Sequence, residues 1–233
     1  LSEMSYDDFA PIIVTVNEPK VIVVGKDSKY KTLKELIDDV TARPDKVKMS
    51  CTKHGSSGYV QTLIYNKLGM YTALSPFTWG CDCITAVTGG QVDFSNPNLS
   101  VAASYIESGE LKLLGVSAAD RLKDYPDVPA LTEIIPESAD YLKNPFSPLS
   151  LLVDKDVSPE IREVLREAAA KAVQEQEWED YVAEKSMEKL YEKYSDETSI
   201  REFYARWESL VSWTLYDAGE AKFSPEKFGI PKP

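Results

Sequence analysis

The residues from Cys51 to Gly58, Cys-Thr-Lys-His-Gly-Ser-Ser-Gly, concentrate the chemistry of this chain. Small residues leave backbone N–H groups uncovered there, and Val60, Leu63, Ile64 and Leu68 follow at helical spacing. A helix N-terminus offers unpaired N–H donors and the positive end of the helix dipole, which suits a carboxylate or a phosphate. Ser56 and Ser57 add two hydroxyls. The spacing is not a Walker A, because no Lys-Ser/Thr pair follows, and it is not GxGxxG. An ordinary N-cap with serine turn chemistry fits it equally well. Two further turns, Trp79-Gly80-Cys81-Asp82 and Asn96-Pro97-Asn98, also follow expected strands and open expected helices. Ligands in open α/β sheets bind beyond the carboxyl ends of strands, so the three turns could converge on one ligand. Plain helix capping is the competing reading of each.

Cys51, His54, Cys81 and Cys83 allow three other chemistries. As zinc ligands they offer an acceptable C-x-x-H half and a poor C-x-C half. A disulfide from Cys51 to Cys81 or Cys83 fits better, because both ends fall at one edge of the expected sheet. A Cys51/His54 thiol enzyme lacks a clear third group to orient the imidazole of the single histidine. The reading is therefore of a protein without catalytic residues, metal or cofactor. Tyr59, Tyr71, Trp79 and Tyr105 either line a pocket or, more commonly for such positions, fill core.

The elements that must position these residues alternate between short β-branched runs and amphipathic segments, the pattern of α/β architecture. Strands are expected at 11–16, 20–25, 47–51, 71–77, 91–94, 111–116 and 147–153. Thr32 and Glu35 form a capping box, and Leu33, Leu36, Ile37 and Val40 make one apolar stripe that stops before Pro44. Ser158-Pro159-Glu160 supplies an N-cap, a proline at N1 and a first-turn acid. Ile161, Val164, Leu165, Ala168, Ala169, Ala172 and Val173 mark the face that this helix should bury. A last long helix spans roughly 198–216, and the Pro-containing C-terminal tail should lie along a surface. The acidic run from Glu175 to Glu197 reads as a solvated helical face. In 233 residues, 26 Lys+Arg against 38 Asp+Glu give a net charge of −12, which repels phosphate backbones and argues against nucleic acid. No apolar run approaches the roughly 20 residues that a membrane-spanning helix needs.

In order and spacing the chain resembles the periplasmic substrate-binding proteins of tripartite tricarboxylate transporters, the Bug or TctC-like receptors. Asp8-Phe9-Ala10-Pro11 before a hydrophobic strand, the helix from Lys31 to Leu36, and Pro44-Asp45-Lys46-Val47 carry part of the likeness. Gly55-Ser56-Ser57-Gly58 falls at the family's ligand loop. Gly89-Gly90-Gln91-Val92-Asp93, the run Gly109 to Val116, and Arg121 with Tyr125-Pro126-Asp127-Val128-Pro129-Ala130-Leu131-Thr132-Glu133 complete it. Thr78-Trp79-Gly80-Cys81-Asp82 departs from the Tyr-Lys-Gly-Gly usual near that point.

The resemblance implies an α/β, two-lobed, flytrap-like fold (periplasmic-binding-protein type II) whose first lobe is incomplete here, the chain starting after that lobe's founding strands. The implied organisation is 1–18 as remnant of lobe 1 and crossover, 19–120 as lobe 2 with its ligand loop at 52–58, 121–146 as crossover, and 147–233 as the rest of lobe 1. It implies capture of a small carboxylate through Thr52, Gly55, Ser56 and Ser57, with Trp79, Gly80 and Asn98 as further contacts. It implies membrane transporter subunits as partners and a periplasmic location, although the chain carries no secretory signal. An incomplete lobe should expose a sheet edge and apolar helix faces and so invite self-association. The rival expectations are a ligand-free interaction or sensor protein on the same fold, and the thiol enzyme.

Overall fold

The computed structural model describes residues 6–53 and 56–233. In chain order the first elements are β1 (Phe9–Asn17), β2 (Val21–Gly25), α1 (Leu33–Ala42), β3 (Lys48–Thr52), α2 (Ser57–Lys67) and β4 (Ala73–Phe77). Next come α3 (Gly80–Thr88), β5 (Phe94–Ser95), α4 (Leu99–Glu107), β6 (Leu111–Val116), and the short α5 (Leu131–Ile134) and α6 (Ala139–Leu142). The chain then continues through β7 (Pro148–Asp154), α7 (Pro159–Ala172), α8 (Gln176–Glu184), β8 (Glu188–Lys189) and α9 (Glu197–Asp217).

Two sheets result. The larger has the order β4-β3-β5-β2-β6, with β3 parallel to β4 and β5, and β2 antiparallel to β5 and β6. Its central strands β2, β3 and β5 are largely buried because helices cover both faces. Ile22, Val24 and Met49 pack with Leu33, Leu36 and Ile64 of α1 and α2. Val21 and Val23 pack on the opposite face with Ile84, Val87, Leu99 and Ala102 of α3 and α4. The α1 stripe Leu33, Leu36, Ile37 and Val40 is buried as its spacing predicts. Each such side chain contributes about 1.5–3 kcal/mol on leaving water. Thr32 caps α1 by accepting from the Glu35 N–H, while the Glu35 carboxylate accepts from the Lys31 N–H, one residue earlier than a standard capping box.

The smaller sheet is antiparallel, in the order β7-β1-β8. As its middle strand, β1 is buried through most of its length, and Pro11 sits beside a register shift, where strands tolerate proline. Ile200 and Phe203 of α9 pack on Val14 and Leu190 beside this sheet, and Leu210 of the same helix reaches the core of the larger one. The C-terminal tail lies along α9, where Trp213 Nε1 and Ser209 Oγ donate to the Pro231 carbonyl at 2.8 and 2.7 Å.

Three expectations need correction. In α7 the N-cap, the N1 proline and Val173 behave as read, but Ile161 and Val164 are 55% and 65% exposed, and Ala168 and Ala172 are exposed too. Only Leu165, Ala169 and Val173 meet the small sheet, because β7 is its edge strand and nothing described lies beyond it. The acidic run is not one solvated face: it folds as α8, a turn and β8, with Val182, Met187 and Leu190 buried beneath its charges. The strand expected over 91–94 shrinks to Phe94–Ser95, since Gln91 and Val92 close the turn after α3 by donating to the Ala86 carbonyl.

Candidate functional site

A cleft of about 230 Å³ opens at the edge of the larger sheet where β3 and β5 end. Because β2 runs antiparallel to β5, its beginning lies at that same edge, and so does Lys20 immediately before it. The walls are Thr52 and Cys51 from the end of β3, Ser95 to Asn98 from the end of β5, and Ser57, Gly80, Cys83 and Val101 from three helices. The first N–H groups of α2 and α3 have no acceptor within their helices. Their dipoles point the same way, toward whatever occupies the cleft.

Thr52, Ser57, Gly80 and Asn98 line this cleft together. Ser56 does not: its hydroxyl accepts from the Tyr59 N–H at 3.1 Å, donates to the Thr52 carbonyl at 3.1 Å and meets Thr52 Oγ1 at 2.6 Å. It shapes the loop and caps α2. Trp79, 67% exposed, stands outside the cleft as the residue preceding α3. Gly55 lies outside the described residues, as does His54. Gly58 allows the close approach of α2 to β3, since a Cβ there would come within 2.7 Å of Thr52 Oγ1. None of Tyr59, Tyr71 and Tyr105 lines the cleft, and Tyr59 is core.

A polar network ties the cleft to the two connections that join the sheets, the one between β1 and β2 and the one before β7. Asn98 opens α4, yet its side chain does not cap that helix. Its Oδ1 accepts from Lys20 Nζ at 2.5 Å and its Nδ2 donates to the Glu18 carboxylate, which also accepts from Ser100 Oγ. Ser147 Oγ lies 3.1 Å from Ser57 Oγ and 3.5 Å from Asn98 Oδ1. The Ser147 N–H donates to Asn17 Oδ1 and its carbonyl accepts from the Glu18 N–H, so the two connections between the sheets are joined beside the cleft.

Lys20 is the wall residue that sequence reading missed. It is 6% exposed, and burial lowers its ammonium to about 8, with Glu18 the main influence in the opposite sense. Its sequence signal is a lysine heading a run, Val21 to Val24, that is otherwise wholly apolar. The thiols are not disulfide-bonded: Cys51 and Cys83 are free and buried in the cleft wall, and Cys81 is free and exposed. Cys81 and Cys83 are two apart on α3, so one faces solvent and the other the sheet. Burial raises Cys51 to about 11 and Cys83 to about 12, the opposite of what an activated nucleophile needs. Among the described residues no three His, Cys, Asp or Glu side chains gather as a metal site. A larger cavity of about 730 Å³, which Glu18 and Lys20 also line, opens among Arg121, Lys123, Glu179 and Lys193. It lacks helix N-termini of the kind that border the cleft.

The family model described as "Tripartite tricarboxylate transporter family receptor" matches residues 1–213. Among curated proteins, BugT of Bordetella pertussis is 25% identical over 170 residues, covering 72% of this chain and 51% of its own length. A UPF0065 protein of Cupriavidus necator is 29% identical over 176 residues, covering 73% of this chain and 50% of its own. The chain thus spans about half the length of the curated relatives it matches. Among solved structures, a TctC solute binding protein from Polaromonas superposes with a TM-score of 0.72 at 23% identity, over 93% of this chain and 72% of that one. MatC from Rhodopseudomonas palustris, with bound malate, gives 0.73 at 21%, over 91% and 73%. An R. palustris protein with adipate gives 0.71 at 20%, over 89% and 68%. The fold is accordingly α/β and of the two-lobed periplasmic-binding-protein kind.

Proposed function

This chain belongs to the tripartite tricarboxylate transporter receptor family, and from that premise we propose that it is a solute-binding receptor that captures a small carboxylate in the cleft at the end of β3 and β5. The observation that carries the reading is the meeting of the N-terminal ends of α2 and α3 with Thr52, Ser57 and Asn98 around one cleft of about 230 Å³. Helix N-termini hold anions by aligned N–H groups and dipoles, and small ligands need only a few well-placed polar groups. Malate and adipate in the two R. palustris relatives support a carboxylate over a phosphate. Membrane transporter subunits as partners and a periplasmic location follow from the same reading.

A thiol enzyme is the weaker alternative, because Cys51 is buried and its thiol is held protonated at neutral pH. A ligand-free interaction protein is the stronger one, favoured by the exposed apolar face of β7 and α7. Thermal unfolding with citrate, malate, succinate, adipate, aspartate, nicotinate and terephthalate separates the two. A ligand at about 100 times its Kd adds about 2.7 kcal/mol, or roughly 5–10 °C in Tm for a domain of this size. One selective shift of that size is expected. A flat response to every compound would overturn the receptor reading in favour of the interaction protein.

A further inference from the structure

We propose that Lys20 is the charged anchor of this cleft, its ammonium pairing directly with a carboxylate of the bound solute and selecting anions over their neutral isosteres. The inference rests on the carboxylate reading above and names the residue that sets its specificity. An ammonium has three donors. Among the described residues Lys20 Nζ uses one, toward Asn98 Oδ1, and no carboxylate forms an ion pair with it. The neighbouring anion is Glu18, and the Asn98 amide stands between the two: the ammonium is donor-only and takes Oδ1, the carboxylate is acceptor-only and takes Nδ2. Glu18 is further occupied by Ser100.

A buried cation with a neutral partner is costly, and the cost is relieved when a second anion arrives. The cleft that Lys20 lines, with Ser57 and Gly80 on its walls, is where such an anion would be held. The titratable groups facing Lys20 are Glu18 from its own crossover, Cys51 from β3 and Cys83 from α3. Both thiols are raised by burial and stay neutral near pH 7, so neither supplies the missing charge. Burial among neutral groups therefore makes this ammonium lose its proton easily, and an anionic ligand would hold that proton in place.

The consequence is linkage. Binding should take up a proton between about pH 8 and 10, and affinity should fall by up to about tenfold per pH unit above 8 until the free-cleft and bound values of Lys20 are both passed. The test uses calorimetric titration of the whole chain with malate, succinate, adipate and citrate, in buffers of different ionisation enthalpy. For the probe that binds best we expect proton uptake at about pH 9 with the unaltered chain, at least a tenfold affinity loss in Lys20→Met near neutral pH, and no proton uptake by that variant at the same alkaline pH. The fully amidated form of the same probe, which carries no carboxylate, should show little preference between the two chains. Lys20→Met removes a buried charge but also the donor to Asn98 Oδ1, so its melting is recorded beside its affinity to show that the variant is folded. Proton uptake is read on the unaltered chain, so the test stands even if Lys20→Met misfolds. If a probe binds without proton uptake, or Lys20→Met binds it within twofold, the anchor is wrong and the carboxylate reading survives. If no probe binds the unaltered chain at millimolar concentration, the carboxylate reading falls and takes the anchor with it.

Discussion

Asn98 and the cleft thiols show how much is decided by single side chains. Asn98 stands where an N-cap belongs, yet it gives its side chain to Lys20 and Glu18, while the Leu99 N–H at N1 donates to the Pro19 carbonyl at 2.8 Å. The lost cap on α4 is worth about 1 kcal/mol. That loss is consistent with a side chain kept for the cleft. The cysteines make a residue-level prediction that also separates receptor from enzyme. Cys81 is exposed, whereas Cys51 and Cys83 are buried with thiols raised to about 11 and 12. Under native conditions near pH 7.5 a maleimide should label one thiol rapidly and the other two only after denaturation, with peptide mapping assigning the fast one to Cys81. Fast labelling of Cys51 would revive the thiol enzyme; a disulfide in the map would contradict the free thiols.

Among the elements, the connection after β6 depends on one ion pair. Arg121 donates to the Glu133 carboxylate through Nε and Nη2 at 2.7 and 2.6 Å, and that carboxylate also accepts from the Ala130 N–H at 2.8 Å. The guanidinium first, and then the backbone N–H, hold Glu133 at about 2 instead of the ordinary 4.5. On α1, Arg43, Lys29 and Tyr30 hold the Asp39 carboxyl well below the usual range. The sign follows from linkage. A carboxyl depressed in the folded state adds stability that is full above its unfolded value and disappears as pH falls through the folded one. Both groups are solvent-accessible, so the effect is modest and screened by salt. Melting of the unaltered chain should therefore decline between about pH 4.5 and 2. Glu133→Gln should melt lower at pH 6, and the gap should close toward pH 2. A gap that stays constant across that range would show that the pair contributes nothing through charge.

For the molecule as a whole, no described residue pairs with the outer edge of β7 in the small sheet, and Leu149 and Leu151 are 44% and 43% exposed, as Ile161 and Val164 of α7 are exposed too. Monomeric proteins rarely leave such an edge and patch uncovered. Two copies of one antiparallel edge are self-complementary about a two-fold axis, so self-association of this chain is the expected outcome. Sedimentation equilibrium should show a concentration-dependent dimer, and Val164→Lys should shift it toward monomer and lower Tm only at concentrations where the unaltered chain is dimeric. A monomer at every concentration would remove the self-association reading. The receptor reading would be untouched, because the cleft lies on the other sheet.

By itself the sequence determined what depends on neighbours within a few positions: the α/β alternation, the caps at Thr32 and Ser158, the α1 stripe, and a glycine- and serine-rich turn ahead of α2. These are set by local sterics and by periods of 2 and 3.6 that any chain displays. Tertiary structure alone decided the rest. The antiparallel sense of β2 against β5 is a long-range pairing, and it places Lys20 at the edge where β3 and β5 end. The apolar spacing of α7 gives a stripe, but whether a stripe is covered depends on what packs there, and at Ile161 and Val164 nothing described does. Spacing likewise brought Cys51 near Cys83, while burial of both on the wall of one cleft, and not cross-linking, was settled by how α3 rests on the sheet.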